Sequence, residues 1–259
     1  MAEDLELVPK EHDIKNFFLD NKFLFNYLGK LGDNRIVFEK SICNGKVRAD
    51  ALLFTENKGI IGIEFKTKND TLKRLPHQLT YYVKTCNYVF VFCDDIHTNQ
   101  VEQLLKQKGL SFVGIISYTN IGTTIIAGMY REAKLNPKYS LYSACELLWK
   151  NELAWILRVL SNKPARLMKN AFKTQHMDLK IYSQQHNHFM ESRLGNHATA
   201  YGSRHYTYKQ LIDTYVRLLG TKVGTQIICE SFIYHGYSPD HYLKLYDFGD
   251  RYGKYYETK

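Results

Sequence analysis

The sequence predicts an α/β fold, a mixed central sheet flanked by helices, followed by a mainly helical C-terminal region. Three observations predict it. Between residues 11 and 129 short β-rich runs alternate with helical patterns in the order α-β-β-β-α-β-α-β-β. Two of those runs, 46–54 and 60–67, flank the turn-rich stretch Thr55-Glu56-Asn57-Lys58-Gly59 and read as a hairpin. After about residue 139 the strand signals stop and helical, aromatic sequence takes over.

Residues 11–31 carry Ile14, Phe17, Phe18, Leu24, Tyr27, Leu28 and Leu31 at helical spacing, with Gly29 and Gly32 marking the end. Residues 35–42 read as a strand before the hairpin. Residues 76–86 read as a helix whose first position suits Pro76, where a missing N–H costs nothing. Tyr88 to Cys93 is an apolar strand closed by Asp94-Asp95. A helix over 98–108 and strands over 110–118 and 123–129 complete a core of residues 1–139. In the remaining region, 140–259, a helix is expected over 140–161, with Leu141, Cys145, Leu148, Trp155 and Val159 on one side. From Asn162 the pattern reads as short helices and aromatic loops, with 14 Lys+Arg against 8 Asp+Glu and twelve of the chain's 20 tyrosines.

A formal net charge of +9 suits a polyanionic partner, because lysine and arginine replace the counterions of phosphates; an ordinary solvated basic surface explains it equally well. Five cysteines without a CxxC pair read as reduced, buried thiols, not as disulfides or a zinc site. His186 and His188 lack a partner cluster and read as surface residues. The acidic N-terminus has no apolar signal segment, and no apolar run approaches the roughly 20 residues that span a bilayer. A cytoplasmic protein without a membrane partner is therefore expected.

The chemistry concentrates in residues 60–68. Ile61, Ile63 and Phe65 alternate with Gly62, Glu64, Lys66 and Lys68, so one strand face is apolar and the other carries a carboxylate and an ammonium. If 55–59 form the loop, Phe54 faces Ile60, Asp50 faces Glu64 and Arg48 faces Lys66. Two opposed carboxylates repel and call for a counter-charge. Mg2+ is a natural one, because a hard cation takes oxygen ligands and also grips phosphate. Lys66 beside it could orient and help deprotonate an attacking water, or stabilise charge developing on the phosphate. The same residues could equally form a solvated sheet surface with ion pairs.

Further residues extend the pattern. Glu39 ends the preceding strand and could supply a third carboxylate, or be a strand-end charge. Gln78 and Tyr82 lie four apart on one helix face, suited to phosphate or base contacts or simply to packing. Arg48, Lys68, Lys73 and Arg74 place positive charge where a phosphate backbone could run.

Arg48-Ala49-Asp50 followed by Glu64-Phe65-Lys66 resembles the core motif of the PD-(D/E)XK nuclease superfamily. Gln78 to Tyr82 resembles the QxxxY motif of its RecB-like branch. Asp70-Thr71-Leu72-Lys73-Arg74-Leu75-Pro76-His77-Gln78 resembles the signature of a bacterial and prophage family within it, as do a helix like Leu147 to Leu153 and a basic stretch like Lys163 to Arg166. The motif's proline is absent, since Ala49 precedes Asp50. The resemblance covers roughly residues 33–170. It implies a restriction-endonuclease-like αβββαβ core. It implies Asp50, Glu64 and Lys66 as catalytic residues, with Asp50, Glu64, the Phe65 carbonyl and auxiliary Glu39 holding Mg2+, for which Mn2+ can substitute.

The expected activity is Mg2+-dependent hydrolysis of phosphodiester bonds in DNA, as an endonuclease or nickase, with Arg48, Lys68, Arg74, Gln78 and Tyr82 contacting nucleic acid. A non-catalytic binding module on the same fold, such as a phage-encoded inhibitor, stands beside it. An RNA-directed nuclease is a third reading, since the chemistry at the phosphate is the same.

Overall fold

Six strands lie side by side in chain order: β1 (Asn34–Ile42), β2 (Val47–Thr55), β3 (Gly59–Lys66), β4 (Tyr88–Asp94), β5 (Gly114–Ile121) and β6 (Thr124–Arg131). The structure is a computed structural model and describes residues 9, 11–122, 124–150, 152–154, 156, 157 and 206–235. The first three strands and the last two pair antiparallel, while β3, β4 and β5 are parallel. Parallel neighbours require crossovers, and α2 (Leu75–Thr85) and α3 (Asp95–Gln107) provide them. The α/β class and the expected element order both hold.

One sheet face packs against α1 (Glu11–Asp20) and a 3-10 helix, Lys22–Leu28. Its core holds Phe18, Phe25, Ile61, Ile63, Phe65, Phe90 and Phe92, all buried. The other face receives α2 and α3, whose Leu79, Tyr82, Val101 and Leu105 are buried. β3 and β4 are buried almost throughout, as strands covered on both sides must be. All five cysteines are buried thiols. No helix among the described residues is long and apolar enough to cross a membrane.

Several boundaries differ from expectation for local reasons. The helix expected over 11–31 is two pieces, because Asn21 turns its side-chain amide back to the Phe17 carbonyl (2.8 Å) and interrupts the first. Helix α3 starts at Asp95, not residue 98, because the Asp94 carboxylate caps the Ile96 N–H at 3.1 Å. Residues 110–113 are not strand: the Leu110 N–H donates to the Leu105 carbonyl (2.8 Å) across Gly109, whose φ of 63° closes α3.

The chain divides into two compact units at Ser140 and Leu141. In the second, the expected helix over 140–161 is interrupted. Helix α4 (Leu141–Cys145) gives way to tight turns, and the Tyr208 hydroxyl donates to the carbonyls of Cys145 (3.2 Å) and Leu148 (2.6 Å). Residues 158–161 lie outside the described residues. Where short helices and loops were expected, Tyr208–Glu230 forms a long helix, α5, broken at Gly220 (φ 65°). Thr207 and Gln210 cap its start reciprocally, with Thr207 N–H to Gln210 Oε1 at 2.8 Å and Gln210 N–H to Thr207 Oγ1 at 3.2 Å. His186, His188, Lys163 to Arg166 and most of the basic, tyrosine-rich sequence lie outside the described residues.

Candidate active site

The site is built where the sheet opens. The β2–β3 ladder pairs Phe54 with Ile60 and runs to Ala51 opposite Ile63, the register expected from the turn. The loop is tighter than 55–59, because Thr55 still pairs with Gly59 and its Oγ1 donates to the Gly59 carbonyl at 2.8 Å. In that register the next position along sets Asp50 against Glu64, and there the ladder stops. The Asp50 N–H donates to the Tyr82 hydroxyl (2.8 Å), which donates onward to the Ile63 carbonyl (3.3 Å). Asp50 then reaches across, its Oδ2 accepting the Phe65 N–H at 2.7 Å.

The other side of Asp50 is interrupted too. Phe38 pairs with Ala51 and Lys40 with Ala49, which leaves Glu39 opposite Asp50 but out of the ladder. Glu39 has φ 55°, a left-handed conformation that is costly for a residue with a Cβ. Its carboxylate takes Arg48 Nε at 2.7 Å and Lys15 Nζ at 3.1 Å. Glu39, Asp50 and Glu64 thus fall in one row across three strands, although no metal-type cluster of three such side chains forms among the described residues.

Glu64 is fully buried and Lys66 nearly so. Lys66 Nζ donates to Glu64 Oε1 (2.5 Å) and to the Phe65 carbonyl (3.0 Å). Among the described residues, Glu64 Oε2 and Gln78 Oε1 are buried and make no well-formed hydrogen bond, although the Tyr82 hydroxyl lies beside the Glu64 carboxylate. Burial and the neighbouring Glu64 carboxylate push the Asp50 carboxyl up to about 7.

Two hollows meet at Asp50. One, of about 520 Å3, is lined by Asp50, Glu64, Lys66, Asp70, Arg74 and Gln78 among others. The second, of about 380 Å3, shares Asp50, Arg74 and Gln78 and adds Glu39, Lys46, Arg48 and His77. The structure therefore brings Asp50, Glu64, Lys66, Phe65, Arg74 and Gln78 to one cleft, with Glu39 and Arg48 in the hollow beside it. Lys68 sits in the turn after β3 and lines neither hollow. Tyr82 corrects its expected role as a nucleic-acid contact. It is fully buried with its hydroxyl engaged by Asp50 and Ile63, so it positions the hairpin.

Asp70 lines the first hollow and Lys46 and His77 the second; Asp70 and His77 fall within the Asp70 to Gln78 stretch, while nothing in the sequence singles out Lys46. Asp70 Oδ2 accepts both the N–H and the hydroxyl of Thr67 at 2.7 Å, closing the turn that follows Lys66. A carboxylate three residues after a threonine was the available signal.

Fold and site define an α/β protein with a carboxylate–lysine cleft at an opened β-hairpin. Residues 7–217 match the model of the family described as bacteriophage P4 protein cII, and the chain belongs to that family. It is thus a phage-associated protein. No curated protein and no solved structure matches it.

Proposed function

We propose that this protein is a Mg2+-dependent nuclease of the PD-(D/E)XK type, hydrolysing phosphodiester bonds in DNA as an endonuclease or nickase. The observation that carries the reading is the buried Oε2 of Glu64 beside Asp50, an oxygen without a well-formed hydrogen bond. A buried carboxylate oxygen without a partner is costly, and a divalent cation is a partner that also accounts for the second carboxylate. Asp50 and Glu64 would hold the ion, with the Phe65 carbonyl adjacent. Bound Mg2+ supplies polarisation of a phosphoryl oxygen and a more acidic water.

The chain's own residues do the rest. Lys66, exchanging its bond to the Phe65 carbonyl for the substrate, stabilises negative charge on the phosphate or orients the water. Arg74 and Gln78 line the cleft where they can fix the phosphate's position, and Arg48 flanks it. Glu39, now paired with Lys15 and Arg48, stands in reserve as an auxiliary ligand.

The test is incubation of the protein with supercoiled plasmid in Mg2+ or Mn2+, beside the Asp50→Ala variant. Nicking or linearisation by the wild type alone is expected. Absence of cleavage with either metal, on plasmid and on RNA, would remove the reading.

One observation favours a non-catalytic binding module. Lys66 Nζ already contacts Glu64 and the Phe65 carbonyl, so the ammonium itself offsets the buried charge. Nucleic-acid binding that is equal in Mg2+ and EDTA, without cutting, would select this alternative.

A further inference from the structure

A third hollow, of about 330 Å3, runs along α2 from Pro76 to Lys84 and shares no lining residue with the two hollows above. Lys84, Lys108 and Lys138 line it beside Pro76, Thr80, Val83 and Leu110, and no acidic side chain among the described residues borders it. Each lysine comes from a different segment, and each segment is held in place. Lys84 belongs to the last turn of α2. Lys108 is the C-cap of α3, ahead of the turn at Gly109. Lys138 is brought over by Asn136, whose amide donates to the Val83 (2.6 Å) and Cys86 (2.7 Å) carbonyls at the end of α2. The Asn136 Oδ1 accepts the Lys138 N–H at 2.9 Å. All three lysines are exposed, and Lys84 Nζ and Lys138 Nζ lie 5.7 and 5.8 Å from the Tyr81 and Phe112 ring centres. No carboxylate among the described residues borders the hollow, so its net charge favours an anion.

The hollow is joined to the cleft by a stripe on α2. Arg74, His77, Tyr81 and Lys84 follow one another at helical spacing, all exposed except half-buried Tyr81. The His77 and Tyr81 rings meet edge to face at 5.1 Å, and Lys84 Nζ lies 5.7 Å from the Tyr81 ring centre. From Arg74 to Lys84 is about 15 Å along the axis, close to four nucleotides at about 3.4 Å each.

We propose that a strand of nucleic acid leaves the cleft along this stripe and that the Lys84, Lys108 and Lys138 hollow holds one of its phosphates. This rests on the reading of the cleft as a nucleic-acid site, but not on cleavage. A phosphate presents several acceptor oxygens to the three ammonium groups, and the His77 and Tyr81 rings border the path between Arg74 and Lys84.

The test measures binding of a fluorescein-labelled single strand of about twelve nucleotides, long enough to pass the hollow, by anisotropy in EDTA across a range of salt. Lys108→Glu and Lys138→Glu are compared with Lys30→Glu, an equal charge change beside the 3-10 helix on the opposite sheet face. The first two are expected to weaken binding and to flatten the plot of log affinity against log salt by about 0.7 each. Lys30→Glu is expected to do neither. Equal weakening by all three variants would reduce the effect to net charge and overturn the proposal. So would lower melting temperatures with unchanged affinity, which would leave the lysines as partners of helix C-termini only. Thermal stabilisation by inorganic phosphate that depends on Lys108 and Lys138, with strand affinity indifferent to them, would make the hollow a small-anion pocket and overturn it as well. Strand binding without metal-dependent cutting of any substrate would sink the nuclease reading and leave this one standing.

Discussion

The backbone N–H of Asp50 donates to the hydroxyl of Tyr82 at 2.8 Å. A side chain from α2 thereby stands in the β2–β3 ladder, bridging Asp50 and the Ile63 carbonyl where the strands would otherwise close on each other. The approach depends on Gly62, since a Cβ there would come within 2.7 Å of the Tyr82 ring and 2.6 Å of Cys86 Sγ. Tyr82→Phe leaves two backbone groups to lose their partner or to pair and pull the hairpin shut. We expect it to cost about 1–3 kcal/mol of stability and to reduce plasmid nicking by displacing Asp50. Chemical denaturation and the nicking assay check this, and wild-type values in both would remove the wedge from the mechanism.

Lys66 and Glu64 form a buried pair, and breaking such a pair costs more than replacing it. Lys66→Met alone strands a buried carboxylate and is expected to destabilise the fold by about 3–5 kcal/mol. The double variant Glu64→Gln with Lys66→Met removes both charges and should recover most of that stability while remaining inactive. Urea melts of the single and double variants measure the coupling. Strictly additive losses would show that the two groups do not compensate each other.

Asp50 sets a pH dependence whose sign follows from the cause of its shift. Burial and Glu64 raise its carboxyl from the ordinary value to about 7, so the folded state favours the protonated form. Its contribution to stability is fully present below about pH 4 and is lost as pH rises through about 7. A cation requires the carboxylate, so stabilisation by Mg2+ should grow over the same window and level off above it. Melting temperatures with and without Mg2+ from about pH 5 to about pH 8 test both slopes. In Asp50→Asn both should flatten, and an unchanged Mg2+ slope in that variant would assign the titration elsewhere.

Glu39 holds a left-handed backbone at φ 55° that suits glycine better. Glu39→Gly relieves strain of order 1 kcal/mol and gives up two partly exposed ion pairs that contribute little. The expected result is a melting temperature equal to or above that of the wild type, together with weaker Mg2+ dependence of cleavage. A clear loss of stability would mean that the Lys15 and Arg48 contacts outweigh the strain.

Much of the core is legible in the residues because its signals are local. Alternation in Ile61, Ile63 and Phe65 assigns one strand face, and a short turn at Glu56 to Lys58 leaves one register, so the Asp50–Glu64 opposition follows from the order of residues alone. Helix ends are less legible, since they turn on single side-chain contacts: Asn21 on Phe17, Asp94 on Ile96, Tyr208 on Leu148. The spacing of Gln78 and Tyr82 puts both on one helix face but does not say which is sealed against the sheet.

The order of strands and helices, the hairpin register and the opposition of Asp50 and Glu64 follow from periodicity and turn chemistry, which act over a few neighbouring residues. The Tyr82 wedge, the strained Glu39, the Glu64 oxygen without a well-formed hydrogen bond and the gathering of Lys84, Lys108 and Lys138 follow from packing alone. The wedge depends on how closely α2 lies on Gly62 and the lysine cluster on what Asn136 draws against the end of α2, and such distances are set by side chains from remote parts of the chain meeting in three dimensions.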